Sequence, residues 1–122
     1  MTSLAERISP PGHARIVTDE SVEKALDYLR DSAGPIGDAK SRTVLAGHMV
    51  KIVEALMIKD SDATSDSKRQ ADARASSRYH EAVTEDAIAA GELEKLRSLR
   101  DAAGARIEAW RSEQANYRSM KI

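Results

Sequence analysis

The chain has 122 residues, a length typical of a single domain. Its 19 lysines and arginines against 20 aspartates and glutamates give a net charge of −1, which excludes strongly basic nucleic-acid proteins and strongly acidic tails but not a local charged patch. The absence of cysteine excludes disulfides, thiol catalysis and cysteine-ligated metal sites. Because neither a run of about 18 apolar residues nor the apolar stretch of a signal peptide occurs, we expect a cytoplasmic protein with no membrane partner.

The first predicted element is an extended N-terminal arm at residues 1–17, followed by a helical domain at residues 18–122. Pro10, Pro11 and Gly12 are adjacent in the arm, and a helix cannot cross them because proline lacks a backbone N–H and has a fixed φ. Such a segment can be disordered alone and become ordered against a partner.

A helix is predicted to begin after Thr18, whose hydroxyl is suited to capping the N-terminus. Asp19 places negative charge at the positive end of the helix dipole, and Val17 and Val22 have the spacing of a hydrophobic staple. The segment GPIG at residues 34–37 is predicted to end or kink this helix.

The second predicted helix runs from about Pro35 to Ile58, with Pro35 at its first position, where a missing N–H costs nothing. The helix is apolar on more than one face, so we expect it either to be the most buried helix or to face a second subunit. One apolar stripe on it is formed by Leu45, Met49, Ile52, Val53 and Leu56.

Residues 59–67 are predicted to form a polar loop, and the chain is predicted to be helical from Lys68 almost to its end. The pair Ser76–Ser77 indicates a break in this helical region with a new N-cap. Beyond the break, Gly91 and Gly104 each cost about 1 kcal/mol relative to alanine in a helix interior.

The long C-terminal helix carries small and apolar residues at spacings of four and three, interrupted by Arg100 and Gln114, which is close to the pattern of a coiled-coil seam. These residues are Ala89, Leu93, Leu96, Ala103, Ile107, Trp110 and Tyr117. The predicted fold class is therefore all-α: an elongated antiparallel helical bundle or hairpin with a long C-terminal helix and a coiled-coil-like seam.

A single helix of about 40 residues is about 60 Å long, and a monomer of this size cannot cover it on all sides. We therefore predict a homo-oligomer or an obligate protein partner. The candidate seam between copies comprises Leu45, Met49, Ile52, Leu56, Leu93, Leu96, Ala103 and Ile107.

No motif of a reaction centre is recognisable in the sequence. His13, His48 and His80 fit no metal-ligand pattern, because none has a histidine, aspartate or glutamate four residues further on. Neither a phosphate-binding GxxxxGK[ST] loop nor a GxSxG nucleophile motif occurs. We therefore predict a protein that is not an enzyme, with no catalytic residue, no metal and no cofactor.

Charge is distributed unevenly along the last predicted helix. Residues 81–94 carry five acidic and no basic side chains, whereas residues 95–122 are mainly basic. At about 100° per residue, four arginines of the basic half lie within roughly 60° of one another. This basic ridge consists of Arg97, Arg100, Arg111 and Arg118, and Trp110 and Tyr117 lie near it.

Two interpretations of the basic ridge are open. Arginine offers a fork of donors that matches phosphate or carboxylate, and a neighbouring aromatic ring can stack on a base, which favours nucleic acid or an acidic protein as the partner. Alternatively, arginines beside a seam pair with acids of a neighbouring helix, such as residues 81–94 of a second copy.

Three helical segments resemble a group of small phage and prophage proteins. They are VEKALDYLRDSA (22–33), SDSKRQADARASSRYHEA (65–82) and LEKLRSLRDAAGARIEAWRSEQAN (93–116), and the resemblance covers roughly residues 20–118. The chain departs from that group at residues 34–37, where such proteins look continuously helical. The resemblance implies an interaction role or an accessory role in phage DNA metabolism, in the cytoplasm of the bacterial host.

The leading hypothesis is a non-enzymatic, oligomeric helical protein that binds another macromolecule. The alternatives are a DNA-binding accessory protein of phage recombination or replication, an inhibitor of a host defence protein, and a structural or assembly protein.

Overall fold

The computed structural model describes residues 17–120, of which 91% are helical. These residues form no strand and four α-helices: α1 (Asp19–Asp31), α2 (Ala33–Asp60), α3 (Asp66–Ala75) and α4 (Ser77–Met120). The prediction of an all-α fold is confirmed, whereas the coiled-coil-like seam stays a prediction. The predicted N-terminal arm lies, except for Val17, outside the described residues.

The described residues divide into two compact units, and α4 contributes to both. The first unit comprises residues 17–32 and 99–120, and the second comprises Ala33–Ser98. The buried apolar residues are Val17, Val22, Ala25 and Ala103 in the first unit, and Ala39, Val53, Ala73 and Leu93 in the second. Because most of these side chains are small, the helix backbones can approach one another closely in both cores.

Helix α1 begins where the sequence predicts. Thr18 has an extended backbone, and its hydroxyl accepts a hydrogen bond from the N–H of Ser21 at 3.1 Å, which satisfies one donor of the first turn. Val17 and Val22 are both buried, as a hydrophobic staple requires. At the other end, the buried Ser32 donates its backbone N–H to a carbonyl one turn earlier, at 2.8 Å.

The boundary between the first two helices differs from the prediction. Helix α2 begins at Ala33, so the GPIG segment lies inside its first two turns and does not end α1. Pro35 is therefore the third residue of α2, where its missing N–H still removes no helical hydrogen bond. Residues 19–60 thus form two helices that are separated at Ser32.

The loop between α2 and α3 is shorter than predicted, because α2 extends to Asp60 and α3 begins at Asp66. The hydroxyl of Ser65 caps α3 by accepting the backbone N–H three residues later, at 3.3 Å. The predicted break before α4 is confirmed. Ser76 separates α3 from α4, and its hydroxyl accepts the N–H of Tyr79 at 3.2 Å.

Within the second unit, α2 runs antiparallel to the first half of α4. The hydroxyl of Thr43 donates a hydrogen bond to the carbonyl of Ala89 at 3.2 Å. Beside it, the Arg42 guanidinium pairs with the Glu92 carboxylate at 3.6 Å. Helix α3 packs against α2. The contacts of Thr43 and Arg42 therefore show which positions of α2 lie beside which positions of α4.

Candidate interaction surfaces

Helix α2 presents a row of large apolar side chains to solvent. They are Leu45 (62% exposed), Met49 (40%), Ile52 (48%) and Leu56 (42%). Because they recur at spacings of three and four residues, they share one face of the helix, which we call the α2 stripe. These are the four α2 residues that the sequence assigns to a seam between copies, whereas Val53, which lies beside them, is buried.

The packing of α2 against α4 explains why the α2 stripe is exposed. The contact is made by another side of α2, on which Thr43 and Gly47 lie. A Cβ atom at Gly47 would be 3.9 Å from the Asp86 carboxylate, so this side chain of α4 reaches α2 at Gly47. Small residues permit such an approach, whereas leucine and methionine would hold the helix axes further apart. The large side chains of the α2 stripe consequently lie outside this contact, either at its edge or on the open side of the helix.

A groove of about 520 Å³ lies beside the α2 stripe, between α2 and the first half of α4 in the second unit. We call it the α2–α4 groove. Leu45 and Met49 line it from α2, and the exposed Ile88 lines it from α4 together with Glu81 and Glu85. The sequence prediction does not include these α4 residues, although spacings of four and three place them on one helix face.

The α4 part of the predicted seam is divided between the two units. Leu93 is buried and Leu96 half-buried in the second unit, whereas Ala103 is buried and Ile107 half-buried in the first. These four side chains therefore contribute to packing within the single chain. The α2 members of the predicted seam are the ones that stay exposed.

The predicted basic ridge is likewise divided, with Arg97 in the second unit and its other three arginines in the first. These three have partners on α4 itself: Arg100 lies 3.7 Å from Asp101, Arg111 lies 3.1 Å from Glu108, and Arg118 lies 3.4 Å from the carbonyl of Gln114. Exposed pairs of this kind stabilise a fold little, because water screens them. The guanidinium groups can therefore exchange these partners for a ligand at low cost.

Trp110 is bonded within the first unit. Its indole N–H donates to the Asp19 carboxylate at 3.0 Å, and its ring is half-buried. This bond joins α4 to the first turn of α1. Tyr117, two turns further along α4, is exposed.

The described histidines do not form a cluster. His48 and His80 are exposed on α2 and α4, and His13 lies outside the described residues. Residues 17–120 contain no group of three or more histidine, aspartate or glutamate side chains that could hold a metal ion. In the same range, none of the helices combines the length and the apolar character that crossing a membrane requires.

Comparisons with known proteins give no relative of this chain, because no protein-family model, curated protein or solved structure matches it. A functional proposal therefore rests on the surfaces described above and on the sequence motifs.

Proposed function

We propose that this protein is a non-enzymatic helical interaction protein, of the type found among small phage proteins, which acts by binding another macromolecule. The observation that carries this proposal is the α2 stripe, where four large apolar side chains on one helix face are 40–62% exposed. Large continuous apolar patches are rare on monomeric soluble proteins, and they commonly mark interaction sites.

Burial of the α2 stripe supplies a substantial driving force for binding. Fully burying a Leu, Ile or Met side chain contributes about 1.5–3 kcal/mol, and about half of each stripe side chain is still exposed. Covering all four side chains therefore contributes roughly 3–6 kcal/mol. Because association itself costs about 4–15 kcal/mol, the partner must also bury apolar surface of its own or make polar contacts beside the stripe.

Co-purification tests docking at the α2 stripe. The intact tagged chain, a Leu45→Glu variant and a Leu26→Glu control are recovered from the cells that produce the protein, with nuclease treatment. Leu26 is a suitable control because it is 51% exposed and lies on α1 in the first unit. We expect partners to accompany the wild type and the control but not Leu45→Glu. Equal recovery with all three chains would contradict the proposal.

The identity of the co-purifying protein also distinguishes between two more specific versions of this proposal. A host defence protein would indicate an inhibitor, and virion proteins would indicate a structural or assembly role.

A second copy of the chain is another candidate partner, because the α2 stripe belongs to the predicted seam of a homo-oligomer. Sedimentation velocity over a range of concentrations tests self-association. A dimer or larger assembly that Leu45→Glu dissociates would support the homo-oligomer. A monomer at every concentration would contradict the homo-oligomer and leave docking of a different protein in place.

The second candidate function is binding of DNA by the basic ridge, as expected of an accessory protein in phage recombination or replication. It is favoured by the exposure of Arg111 and Arg118, whose polar contacts within the described residues all lie within about one turn of α4. Fluorescence anisotropy with labelled single-stranded and duplex DNA tests it. We expect an affinity that falls steeply with salt and is lost in Arg111→Glu/Arg118→Glu. Unchanged binding by that variant would exclude this function.

A further inference from the structure

The α2–α4 groove carries its charges in a definite order along α4. At one end Glu92 pairs with Arg42 of α2 at 3.6 Å, so this end is neutral. Glu81 and Glu85 lie one turn apart in the middle, and Arg78 lies at the other end, one turn before Glu81. Within the described residues neither Glu81 nor Glu85 has an ion pair within 4.0 Å. Two negative charges are therefore open to a ligand at the centre of the groove.

The rest of the groove centre is apolar. Leu45 and Met49 line it from α2, and Ile88 follows the two carboxylates on α4. A ligand that fills the groove needs apolar side chains along its length and positive charge on the side that faces α4. An amphipathic α-helix has this combination, and such helices commonly bind by laying their apolar face into a groove.

We propose that the α2–α4 groove binds an amphipathic α-helix of another protein, whose apolar stripe is bordered by two basic side chains one helical turn apart. This proposal rests on the proposed function, because it names the partner of the same apolar face. The apolar stripe of the ligand packs on Leu45, Met49 and Ile88, and its basic pair faces Glu81 and Glu85. The ion pairs fix the orientation of the bound helix and speed its association, whereas the apolar contacts supply most of the affinity.

The charges of α2 disfavour a second copy as the occupant of the groove. Beside its stripe, α2 carries two basic residues, Arg42 and Lys59, which lie more than four helical turns apart. At about 100° per residue, Lys51 projects about 120° away from Leu45. The α2 stripe of a second copy therefore offers the two open carboxylates no basic pair one turn apart.

Two synthetic amphipathic helical peptides test the proposal with the intact chain. They share one leucine stripe, which is bordered by two lysines one turn apart in the first peptide and by two glutamates in the second. We expect fluorescence anisotropy at physiological salt to show at least about tenfold tighter binding of the lysine peptide. Met49→Glu should abolish this binding while the far-ultraviolet circular dichroism stays unchanged, because Met49 is exposed.

A pair of matched double variants assigns the effect of charge to the groove. Glu81→Gln/Glu85→Gln removes the two open carboxylates with little change of shape and should weaken binding of the lysine peptide about tenfold. Glu94→Gln/Asp101→Asn removes the same net charge from exposed positions of α4 that do not line the groove. This control should leave the affinity unchanged.

Several results would overturn the proposal. Equal binding of the two peptides, or equal weakening by the two double variants, would show that the groove does not select a basic pair, while docking at the α2 stripe would stand. Failure of both peptides to bind, with a dimer that Leu45→Glu dissociates, would make a second copy the occupant. A third outcome would overturn the proposed function as well. In this outcome neither peptide binds, the chain stays monomeric, and the same partners co-purify with Leu45→Glu as with the wild type.

Discussion

The indole N–H of Trp110 donates a hydrogen bond to the carboxylate of Asp19 at 3.0 Å, although the two residues are 91 positions apart in the sequence. The bond joins α4 to the first turn of α1 within the first unit. The same carboxylate places negative charge at the N-terminus of α1, where the helix dipole favours it. Asp19 therefore stabilises both the start of α1 and the attachment of α1 to α4.

Removal of the Asp19 carboxylate should lower the free energy of unfolding by about 1–2 kcal/mol, because a hydrogen bond to a charged group is lost. Urea unfolding followed by circular dichroism measures the loss. Glu20→Ala is the matched control, because Glu20 lies in the same first turn and its ion pair within residues 17–120 is with the exposed Lys24, at 3.5 Å. Equal losses in Asp19→Ala and Glu20→Ala would show that the bond to Trp110 contributes nothing.

Loss of the helix cap at Ser76 should lower the free energy of unfolding by about 1–2 kcal/mol. Its hydroxyl donates to the carbonyl of Ala73 at 2.7 Å and accepts the N–H of Tyr79 at 3.2 Å, so Ser76→Ala removes a bond to each of two helices. The neighbouring Ser77 is exposed, and Ser77→Ala should change the stability by less than about 0.5 kcal/mol. Thermal unfolding compares the two variants, and a similar effect of both would argue against the cap.

Replacing Gly91 by alanine should raise the free energy of unfolding by about 1 kcal/mol, because glycine is a poor residue for a helix interior. Gly91 lies inside α4, has no positive φ, and a Cβ built on it would meet no heavy atom within 4 Å. Chemical unfolding of the Gly91→Ala variant checks this. A loss of stability would contradict this prediction, because a Cβ at Gly91 meets no atom with which it could clash.

The starts of α1 and α4 could be predicted because a cap involves atoms only a few residues apart. Thr18 and Ser76 have hydroxyl groups that satisfy backbone donors within three residues, and their residue types are visible in the sequence. The same locality explains the correct placement of the polar loop after α2 to within two residues. The fold class followed from these boundaries and from the helical spacing of apolar residues.

The packing face of α2 could not be predicted, because the helix is apolar on several sides. Periodicity indicates that Leu45 and Val53 are both suited to a core, yet Leu45 is exposed and Val53 is buried. The difference depends on which side of α2 meets α4, and in the structure that side carries Thr43 and Gly47. Helical spacing does not contain this information, since it gives equal weight to large and small apolar residues.

The α2–α4 groove escaped prediction for a similar reason. Its charge pattern depends on the pairing of Arg42 with Glu92, which leaves Glu81 and Glu85 open. The sequence alone suggests a pair between Glu92 and Lys95, which lie three residues apart on one helix. In the structure, Glu92 pairs instead with the guanidinium of Arg42, which α2 brings from a distant part of the chain. Such pairs are evident only when the register of two helices is known.

Whether a partner covers the α2 stripe in the cell is tested most directly by oxidising the methionines with dilute peroxide. Mass spectrometry then measures how far each methionine is oxidised. Met49 lies in the stripe and is 40% exposed, and Met120 at the end of α4 is 80% exposed, so both should oxidise in the dilute purified chain. In native extracts of the producing cells, we predict that Met49 is protected severalfold relative to Met120. Equal oxidation of Met49 in the extract and in the purified chain would contradict the claim that this face is a docking site.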